Sequence, residues 1–514
     1  MDLIHYFDRG VYLAPDRDCM VMDDNAWTYR EVQAVSMQVA SALRRDGIRT
    51  GTRVAVLSQN DPTAFMCVLG LIRAQMVWVP LNPRNSEENL IGILDRFKCE
   101  VLFYNSAFED LVAHARQAIP GMTTTVCVDQ QAGAVPSLTQ WIDDAPTHFE
   151  IEPADPNAVI ALQTTGGTTG LPKGVMQTHL FYEHFISSLL AAMPTTTPPR
   201  FLAAAPMTHA AGYFCLPIFA RGGTIIVLRA AQPLLIAQAI ERYKVTDTIL
   251  PPTVIYAMLA EPTIRNFDFS SMRYFWYGTA PIAVDKLREA IEVFGPCMVS
   301  GWGQSEAVAL TFLSAQDLVK DGKINEKLLT SCGRAFPFTE VAVMDPDGKL
   351  LGRNESGELV ARGNSVMPGY LDDPEATADV SRFGWHHTGD IGYCDDEGFF
   401  HIVDRSKDMI ISGGFNIFPS EIEKVIFTHP AVEDCAVVGL PDEKWGEKVS
   451  AFVQLKKGHE VTRESLEALC RAKLGSMKTP KYFEFRDTLP RSPVGKTLKR
   501  ELREPFWEGK ERKV

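Results

Sequence analysis

The most constraining feature of this sequence is the run Gln163-Thr-Thr-Gly-Gly-Thr-Thr-Gly-Leu-Pro-Lys-Gly-Val175, which combines glycines, hydroxyls and one lysine. Glycines lack a Cβ, so the backbone N–H groups of such a loop can turn toward an anion, and Lys173 adds a positive charge. The preceding Ala158-Val-Ile-Ala-Leu162 is apolar and partly β-branched, which is typical of a buried strand. The sequence therefore predicts a strand that leads into a phosphate-binding loop.

Two other structures are compatible in principle with a run of glycine, threonine and lysine. A Walker-type nucleotide loop requires a lysine followed by serine or threonine at the start of a helix. Here Pro172 precedes Lys173 and Gly174 follows it, so the Walker pattern does not match. A flexible surface loop of glycine and threonine stays open as the alternative if the run is taken alone.

Composition limits the class of protein. A chain of 514 residues with 46% hydrophobic content is typical of two or more folded domains. The net charge of -13 gives no electrostatic footprint for nucleic acid or for an anionic membrane, so a local site must bind any anionic ligand. The ten cysteines form no CxxC pair, which favours reduced thiols and argues against zinc. Without an apolar segment of signal or membrane-spanning length, we expect a cytoplasmic protein with no integral membrane association.

The alternation of elements predicts an α/β fold. A helical pattern runs from Trp27 to about Gly47, and short apolar strands such as Val54–Leu57 and Val77–Pro80 alternate with helices, which indicates crossover units and a mostly parallel sheet. After residue 330, turn signals between apolar runs predict a β-rich subdomain over about 330–404. Residues 405–514 then form a small α+β domain.

Two details of this small domain can be predicted from the residues. The hinge is placed at Asp404 to Asp408, where charged residues interrupt two apolar runs. Ser420 with Glu423 three positions later predicts a capping box at the start of a helix.

Further short segments follow the glycine-rich run in a fixed order. They are Pro206–Gly212, Tyr277–Pro281, Gly301–Glu306, Thr388–Asp390, Asp404–Gly414 and Leu489–Lys496. Together they resemble the adenylate-forming superfamily of acyl-CoA synthetases, firefly luciferase and peptide-synthetase adenylation domains, from Trp27 to Lys496. The sequence departs from the usual family residue at Gly166 (often serine), Trp302 (more often tyrosine) and Asp404 (commonly glycine).

The resemblance implies a binding site for ATP and magnesium. It assigns these residues to the nucleotide: Thr165, Gly166, Gly167, Thr168, Thr169, Gly170, Lys173, Gly278, Thr279, Ala280, Pro281, Gly301, Trp302, Gly303, Ser305, Asp390, Arg405 and Lys496. Within this set it places Trp302 and the segment Tyr277–Pro281 against adenine, and Asp390 and Arg405 at the ribose. A carboxylate such as Asp390 can accept hydrogen bonds from the ribose hydroxyls. Glu306 would help to hold Mg²⁺, which accepts few carboxylates and leaves positions for phosphate oxygens.

The resemblance also implies the remaining roles. Lys173, Glu306, Lys407 and Lys496 would be catalytic, with Lys407 as the hinge of a mobile C-terminal lid and Lys496 delivered by that lid. The acyl group would lie against His209, Ala210, Gly303 and Gln304, and coenzyme A against Ser412, Gly413, Gly414 and Trp445. Taken alone, Glu306 is more typical of a solvated turn, Lys496 of a solvated tail and His209 of a core residue.

The function implied is the conversion of a carboxylic acid to an acyl-adenylate by ATP, followed by transfer to CoA. Apolar residues beside His209, such as Tyr213 and Phe214, favour a fatty or aromatic acid. Three alternatives stay open: an adenylation enzyme that loads a carrier protein, a luciferase-like oxygenase, and a non-catalytic nucleotide-binding regulator. The joint presence of Lys173, Glu306 and Lys496 argues against the last of these. The oligomeric state, including a homodimer, is left open.

Overall fold

The computed structural model describes residues 2–133, 135–164, 172–413, 415–491 and 497–508. The chain divides into two compact units, the first formed by residues 1–341 and 361–386 and the second by residues 342–360 and 387–514. The predicted boundary between residues 404 and 405 concerns which part of the chain moves, and it stays a prediction. None of the helices in these described ranges has the length and apolar content needed to cross a bilayer.

The helices are distributed along the whole chain. The α-helices are α1 His5–Leu13, α2 Tyr29–Arg45, α3 Pro62–Arg73, α4 Glu87–Arg96, α5 Glu109–Ala118, α6 Leu138–Ile142, α7 His179–Ala192, α8 Ala210–Phe219, α9 Pro233–Tyr243, α10 Pro252–Leu259, α11 Val284–Phe294, α12 Ala315–Leu318, α13 Pro374–Asp379, α14 Pro419–Phe427, α15 Arg463–Lys478 and α16 Lys499–Trp507. Short 3₁₀ helices cover Ser106–Phe108, Ile264–Asn266, Glu326–Leu328 and Ser406–Asp408.

The strands alternate with these helices in the first part of the chain and follow one another later. They are β1 Asp18–Met22, β2 Asn25–Thr28, β3 Arg53–Leu57, β4 Val77–Leu81, β5 Val101–Tyr104, β6 Thr124–Cys127, β7 Val159–Thr164, β8 Gly174–Thr178, β9 Arg200–Ala203, β10 Thr224–Val227, β11 Asp247–Leu250, β12 Tyr274–Tyr277, β13 Met298–Trp302, β14 Thr311–Leu313, β15 Val319–Lys320, β16 Lys323–Ile324, β17 Arg334–Ala335, β18 Glu340–Met344, β19 Gly357–Arg362, β20 Ser381–Arg382, β21 Trp385–Cys394, β22 Phe400–Arg405, β23 Ile410–Ser412, β24 Phe415–Ile417, β25 Val432–Asp442, β26 Gly446–Leu455 and β27 Tyr482–Arg486.

The first unit contains two large sheets. One has the order β17-β14-β13-β12-β11-β9-β10-β1-β2, in which the central strands pair in parallel and the pairs β1–β2, β13–β14 and β14–β17 are antiparallel. The other has the order β6-β5-β3-β4-β7-β8, and its only antiparallel pair among the described residues is β7 with β8. The mostly parallel α/β architecture predicted from the sequence is therefore confirmed.

The sequence determines where the flanking helices begin and which faces they bury. Thr28 and Glu31 form a reciprocal capping box at the start of α2, which satisfies backbone N–H groups that have no partner inside the helix. Asp61 caps α3, and Pro62 occupies its first position. Helix α3 is buried on nearly all sides because its sequence is apolar around the whole circumference.

The chain from residue 334 to residue 405 is rich in strands, as predicted, with β17 to β22 and the single helix α13. The second unit also contains a sheet with the order β24-β23-β26-β25, to which β27 is added in parallel beside β26. Helices α14 and α15 cover its core, in which Ile422, Ile426 and Leu466 are fully buried.

The predicted capping box at Ser420 and Glu423 is wrong. Helix α14 begins at Pro419, so Ser420 is already inside the first turn, and its N–H donates to the Asp404 carboxylate at 2.8 Å. Glu423 instead forms an ion pair with Lys499 at 2.7 Å and accepts the Val437 N–H at 2.7 Å. A proline is well suited to the first helical position because it has no N–H to satisfy there.

Candidate active site

The glycine-rich run connects two antiparallel strands. Strand β7 covers Val159–Thr164, which confirms the predicted strand, and it pairs with β8 from Gly174 onward. Thr165, Gly166, Gly167, Thr168, Thr169 and Gly170 lie outside the described residues. Lys173 immediately precedes β8, and its side chain is 36% exposed. Its ammonium group therefore lies at the end of the hairpin where a phosphate-binding loop would be.

Tyr370 brings two of the predicted catalytic residues together. Its segment is fixed on β8, because the Leu371 N–H donates to the Gly174 carbonyl at 2.8 Å. The Lys173 Nζ lies 4.9 Å from the centre of the Tyr370 ring. The Tyr370 hydroxyl donates to the Glu306 Oε1 at 2.9 Å. Lys173 and Glu306, 133 positions apart in the printed numbering, therefore contact opposite parts of one side chain.

Tyr370 is kept in its neutral form mainly by burial. Burial, and after it the negative charge of Glu306, raises the pKa of Tyr370. The phenol therefore stays a hydrogen-bond donor to Glu306 at ordinary pH. Lys173 also lies 3.7 Å from the Asp373 carboxylate, so its charge is balanced while its side chain stays partly exposed.

Glu306 lies on a tight turn that follows strand β13. The Gln304 N–H donates to the Ala307 carbonyl at 2.8 Å, and the Met367 N–H donates to the Glu306 carbonyl at 2.8 Å. The Gln177 amide donates to the Ser305 carbonyl at 2.9 Å. The backbone of this turn is thus fixed from three sides, and the Glu306 carboxylate is fixed by Tyr370.

The residues predicted to surround adenine follow two adjacent parallel strands. Strands β12 and β13 pair with Tyr277 opposite Ser300, so the segment Gly278–Pro281 and the residues Gly301, Trp302 and Gly303 lie at neighbouring carboxyl ends. Open α/β sheets bind ligands at this edge.

Two residues at this edge have unusual backbone or packing requirements. Thr279 has a φ of 68°, which is rare for a β-branched residue and is typical of functional sites. At Gly301 a Cβ would lie 2.7 Å from the Thr311 carbonyl, so a larger residue does not fit.

Two of the four predicted acyl residues, His209 and Ala210, lie at the start of α8, and the other two, Gly303 and Gln304, follow strand β13. His209 is the N-cap residue of α8, Ala210 is its first residue, and the His209 Nδ1 is 3.0 Å from the Thr208 hydroxyl. Burial lowers the pKa of His209 to about 4. In the first turn of α8, Gly212 is required because a Cβ there would lie 2.0 Å from the Met207 carbonyl.

A buried polar chain connects this region with the Glu306 turn. The Tyr213 hydroxyl donates to the Gln177 Oε1 at 2.8 Å, and the Gln177 amide binds the Ser305 carbonyl. The Tyr213 ring stacks on Tyr182 with centroids 5.3 Å apart. Sequence reasoning missed both Gln177 and Tyr370. A glutamine in a short strand that is otherwise mostly apolar is a weak signal, and Tyr370 becomes visible only through its pairing with β8.

In the second unit, the two residues predicted to bind ribose are paired with each other. Asp390 on β21 lies directly opposite Arg405 on β22, and the Arg405 Nε is 2.9 Å from the Asp390 Oδ1. Lys407 lies in the 3₁₀ helix Ser406–Asp408. Burial, and after it the Arg405 charge, lowers the pKa of Lys407. The Arg503 guanidinium donates to the Lys407 carbonyl at 3.4 Å.

Three of the residues predicted to contact coenzyme A form one local arrangement. Ser412 ends β23, and the Gly413 N–H donates to the Trp445 carbonyl at 2.8 Å. Gly413 has a φ of 58°, and a Cβ there would lie 2.8 Å from the Trp445 ring. The Trp445 side chain is 47% exposed. Gly414 and Lys496 lie outside the described residues.

The residues present fit a magnesium ion that is bound mainly through phosphate. In the part of the chain that the structure describes, no group of three His, Cys, Asp or Glu side chains could hold a metal. Glu306 is a single, fixed carboxylate with one oxygen bonded to Tyr370. Mg²⁺ commonly takes one or two carboxylates and completes its shell with water and substrate phosphates, so Glu306 is a suitable protein ligand.

The sequence matches two family models and several known proteins. A model of the AMP-binding enzyme family matches residues 7–371, and a model of the AMP-binding enzyme C-terminal domain matches residues 421–496. The chain is 35% identical to the medium/long-chain-fatty-acid–CoA ligase FadD8 of Mycobacterium tuberculosis (strain ATCC 25618 / H37Rv), covering 93% of this chain and 85% of FadD8. It is also 35% identical to the feruloyl-CoA synthase of an Amycolatopsis species, covering 97% of this chain and 98% of that protein.

A solved structure has the same fold. ATP-bound MatB from Rhodopseudomonas palustris matches with a TM-score of 0.88 and 28% identity, covering 98% of this chain and 99% of that chain. The chain therefore belongs to the AMP-binding enzyme family, within the adenylate-forming superfamily. Within that family, it is an AMP-forming acyl-CoA synthetase that uses ATP.

The protonation state of His209 can be measured directly. Because burial lowers its pKa from the ordinary 6.5 to about 4, we expect the ring to stay neutral above about pH 5. The unfolded state takes up this proton first as the pH falls, so His209 lowers the stability of the fold between about pH 6.5 and pH 4. Titration of ¹³Cε1-labelled histidines by NMR, with His209→Gln to assign the signal, checks this. An inflection of that signal near pH 6.5 would contradict the assignment.

Proposed function

We propose that this enzyme activates an apolar fatty or aromatic carboxylic acid with ATP and transfers the acyl group to coenzyme A. The observation that carries the proposal is the convergence of Lys173 and Glu306 on Tyr370. Lys173 and Glu306 contact one tyrosine at the end of the glycine-rich run, and we assign Glu306 as the metal ligand. The family match and the two CoA-ligating relatives support the same reaction.

The chemistry explains why such a site is needed. A carboxylate is a poor acylating agent because its charge repels nucleophiles and its oxygen is a poor leaving group. Attack of the carboxylate oxygen on the α-phosphorus of ATP forms a P–O bond and breaks the bond to pyrophosphate, which leaves with its charge. The step needs little proton transfer, so the protein contributes positioning and neutralisation of charge.

We assign residues of both units to neutralise the negative charge of the ATP phosphates. We assign the amides and hydroxyls of Thr165–Gly170, together with Lys173 and Ser305, to the ATP phosphates. Lys496 would add a second ammonium group in this step. Magnesium, held by Glu306, would neutralise phosphate oxygens when bound. Gly278, Thr279, Ala280, Pro281, Gly301, Trp302 and Gly303 are assigned to adenine, and Asp390 and Arg405 to ribose.

The acid is assigned to the region around His209. His209, Ala210, Gly303 and Gln304 would contact its carboxyl end, and aromatic rings of Tyr182, Tyr213, Phe185 and Phe214 pack on one another behind them. His209 stays neutral near pH 7, so it adds no positive charge that would favour a second carboxylate on the substrate. The apolar character of these rings supports a fatty or aromatic acid. FadD8 is named for fatty acids, and the feruloyl-CoA synthase is named for an aromatic acid.

The second step needs a thiol. We propose that CoA attacks the acyl-adenylate carbonyl, that AMP leaves, and that Ser412, Gly413, Gly414 and Trp445 contact the pantetheine. The small domain would turn about Lys407 between the two steps and withdraw Lys496. All ten cysteines of the chain fall within the described residues and are free thiols, which supports a reducing compartment such as the cytoplasm. Two alternatives to this second step remain. In one, the acceptor thiol belongs to a carrier protein; in the other, the chain is a luciferase-like oxygenase, which would share only the first step.

The function is tested by supplying ATP, Mg²⁺ and a panel of fatty, aromatic and dicarboxylic acids, with CoA or a phosphopantetheinyl carrier protein as acceptor. Mass spectrometry identifies the product. We expect an acyl-CoA from an apolar acid, with AMP and pyrophosphate in equal amounts. Thioester on the carrier protein alone would favour the adenylation alternative, and an oxidised product would favour the oxygenase. Formation of ADP, or no product from any acid, would contradict the proposal.

Tyr370→Phe tests the arrangement of Glu306. The variant keeps the ring beneath Lys173 but removes the hydroxyl that holds the carboxylate. Because groups that orient a metal ligand typically contribute 10- to 100-fold to metal affinity, we expect binding of a non-hydrolysable ATP analogue with Mg²⁺ to weaken by about 10-fold. Binding in EDTA should change little. Isothermal titration calorimetry measures both.

A matched control for this variant is Tyr243→Phe. It removes a surface hydroxyl that donates to the Asp23 carbonyl at 2.9 Å in the same unit, so it should leave both affinities unchanged. If Tyr370→Phe weakens binding equally with Mg²⁺ and with EDTA, Tyr370 does not act through the metal ligand Glu306.

A further inference from the structure

Backbone hydrogen bonds hold together the described residues on either side of 492–496. Arg491 and Thr497 form an antiparallel bridge, and the Leu498 N–H donates to the Pro490 carbonyl at 2.8 Å. The segment between them contains Lys496. Arg491 and Thr497, the described residues that flank it, therefore lie next to each other in the second unit.

One carboxylate contacts both ends. Asp434 Oδ2 forms an ion pair with the Arg491 guanidinium and lies 3.4 Å from the Thr497 hydroxyl. The other carboxylate oxygen accepts the Cys435 N–H at 2.8 Å, which fixes the orientation of the group. The Asp434 side chain is 12% exposed, so its contact with Arg491 is partly shielded from water.

The position of Asp434 follows from an irregularity in its strand. The register between β25 and β26 shifts between Val432 and Asp434, and such bulges redirect a side chain at the edge of a ladder. Asp434 pairs across the strands with Gln454. The Gln454 Oε1 accepts the Leu489 N–H at 3.3 Å, so the same cross-strand pair also holds the chain just before Pro490.

Apolar contacts also hold the chain before and after this segment. Leu489 before it and Leu502 after it are buried in one cluster with Ala436, Val438, Leu440 and Phe452. These four residues lie on β25 and β26. The polar contacts of Asp434 therefore lie beside a buried apolar cluster, and they fix Arg491 and Thr497 relative to each other.

We propose that Asp434 is a positioning residue. By holding Arg491 and Thr497 together, it limits the positions that Lys496 can reach. The inference rests on the proposed function, in which Lys496 acts only in adenylate formation. Asp434 itself touches neither ATP nor the acid in this assignment. Its loss should therefore affect the first half-reaction and leave the second unchanged.

The test is Asp434→Asn, which keeps the shape of the side chain but removes its charge. Adenylate formation is measured as acid-dependent ATP–pyrophosphate exchange, and thioester formation is measured separately from synthetic acyl-adenylate and CoA. Since small misplacement of a catalytic group can cost about 100-fold, we expect kcat of the first reaction to fall by about 10- to 100-fold with little change in the KM for ATP. The second reaction should stay within about twofold of the wild type. Lys496→Ala should show the same split.

Glu421→Gln is the matched control. It removes an ion pair with Lys478 in the same unit, where both side chains are about one-third exposed, and it should leave both half-reactions unchanged. If Asp434→Asn does not fold, as shown by thermal unfolding, Thr497→Val replaces it and should give a smaller loss in the first half-reaction only.

The outcomes separate the two proposals. A wild-type enzyme that forms no adenylate from any acid would overturn the proposed function. A wild-type enzyme that is active, with Asp434→Asn equally active or impaired equally in both half-reactions, would overturn the positioning role of Asp434 alone.

Discussion

The pairing of the Gly369–Leu371 segment with strand β8 is the constraint on which the arrangement of the site in the first unit depends. Two backbone hydrogen bonds, from Leu371 to Gly174 and from Met176 to Gly369, fix this segment beside the end of the glycine-rich run. The Tyr370 ring is thereby placed between Lys173 and Glu306. Neither charged group is held by a strong ion pair with the other. Each stays in reach of a ligand because a neutral phenol lies between them.

This arrangement suits a chain whose overall charge repels its nucleotide. With a net charge of -13, the protein cannot attract ATP through its general field, so positive groups must be concentrated where the phosphates bind. In the second unit, Arg405 pairs with Asp390, and burial lowers the pKa of Lys407. In the proposed mechanism Lys173 and Lys496 supply the positive charge for the phosphates, and Asp434 contacts the residues on either side of 492–496.

Much of the fold could be predicted from local sequence, but the network that holds the site could not. Strands β3, β4 and β7 follow from short apolar runs, and α2 from the cap at Thr28 and Glu31. The helix start at Ser420 was wrong because Asp404, sixteen positions earlier, supplies the cap from outside the local sequence. Tyr370, Gln177 and Asp434 contact partners that lie between 36 and 197 positions away in the sequence, and no local pattern reveals such pairing.

The central claim is that an oxygen of the acid attacks the α-phosphorus of ATP. The most direct measurement uses an acid with both carboxylate oxygens replaced by ¹⁸O and follows the label by mass spectrometry after one turnover with ATP and CoA. An acyl-adenylate predicts one ¹⁸O in the AMP phosphate and one in the thioester carbonyl. Label in inorganic phosphate or pyrophosphate, or AMP without label, would contradict the mechanism.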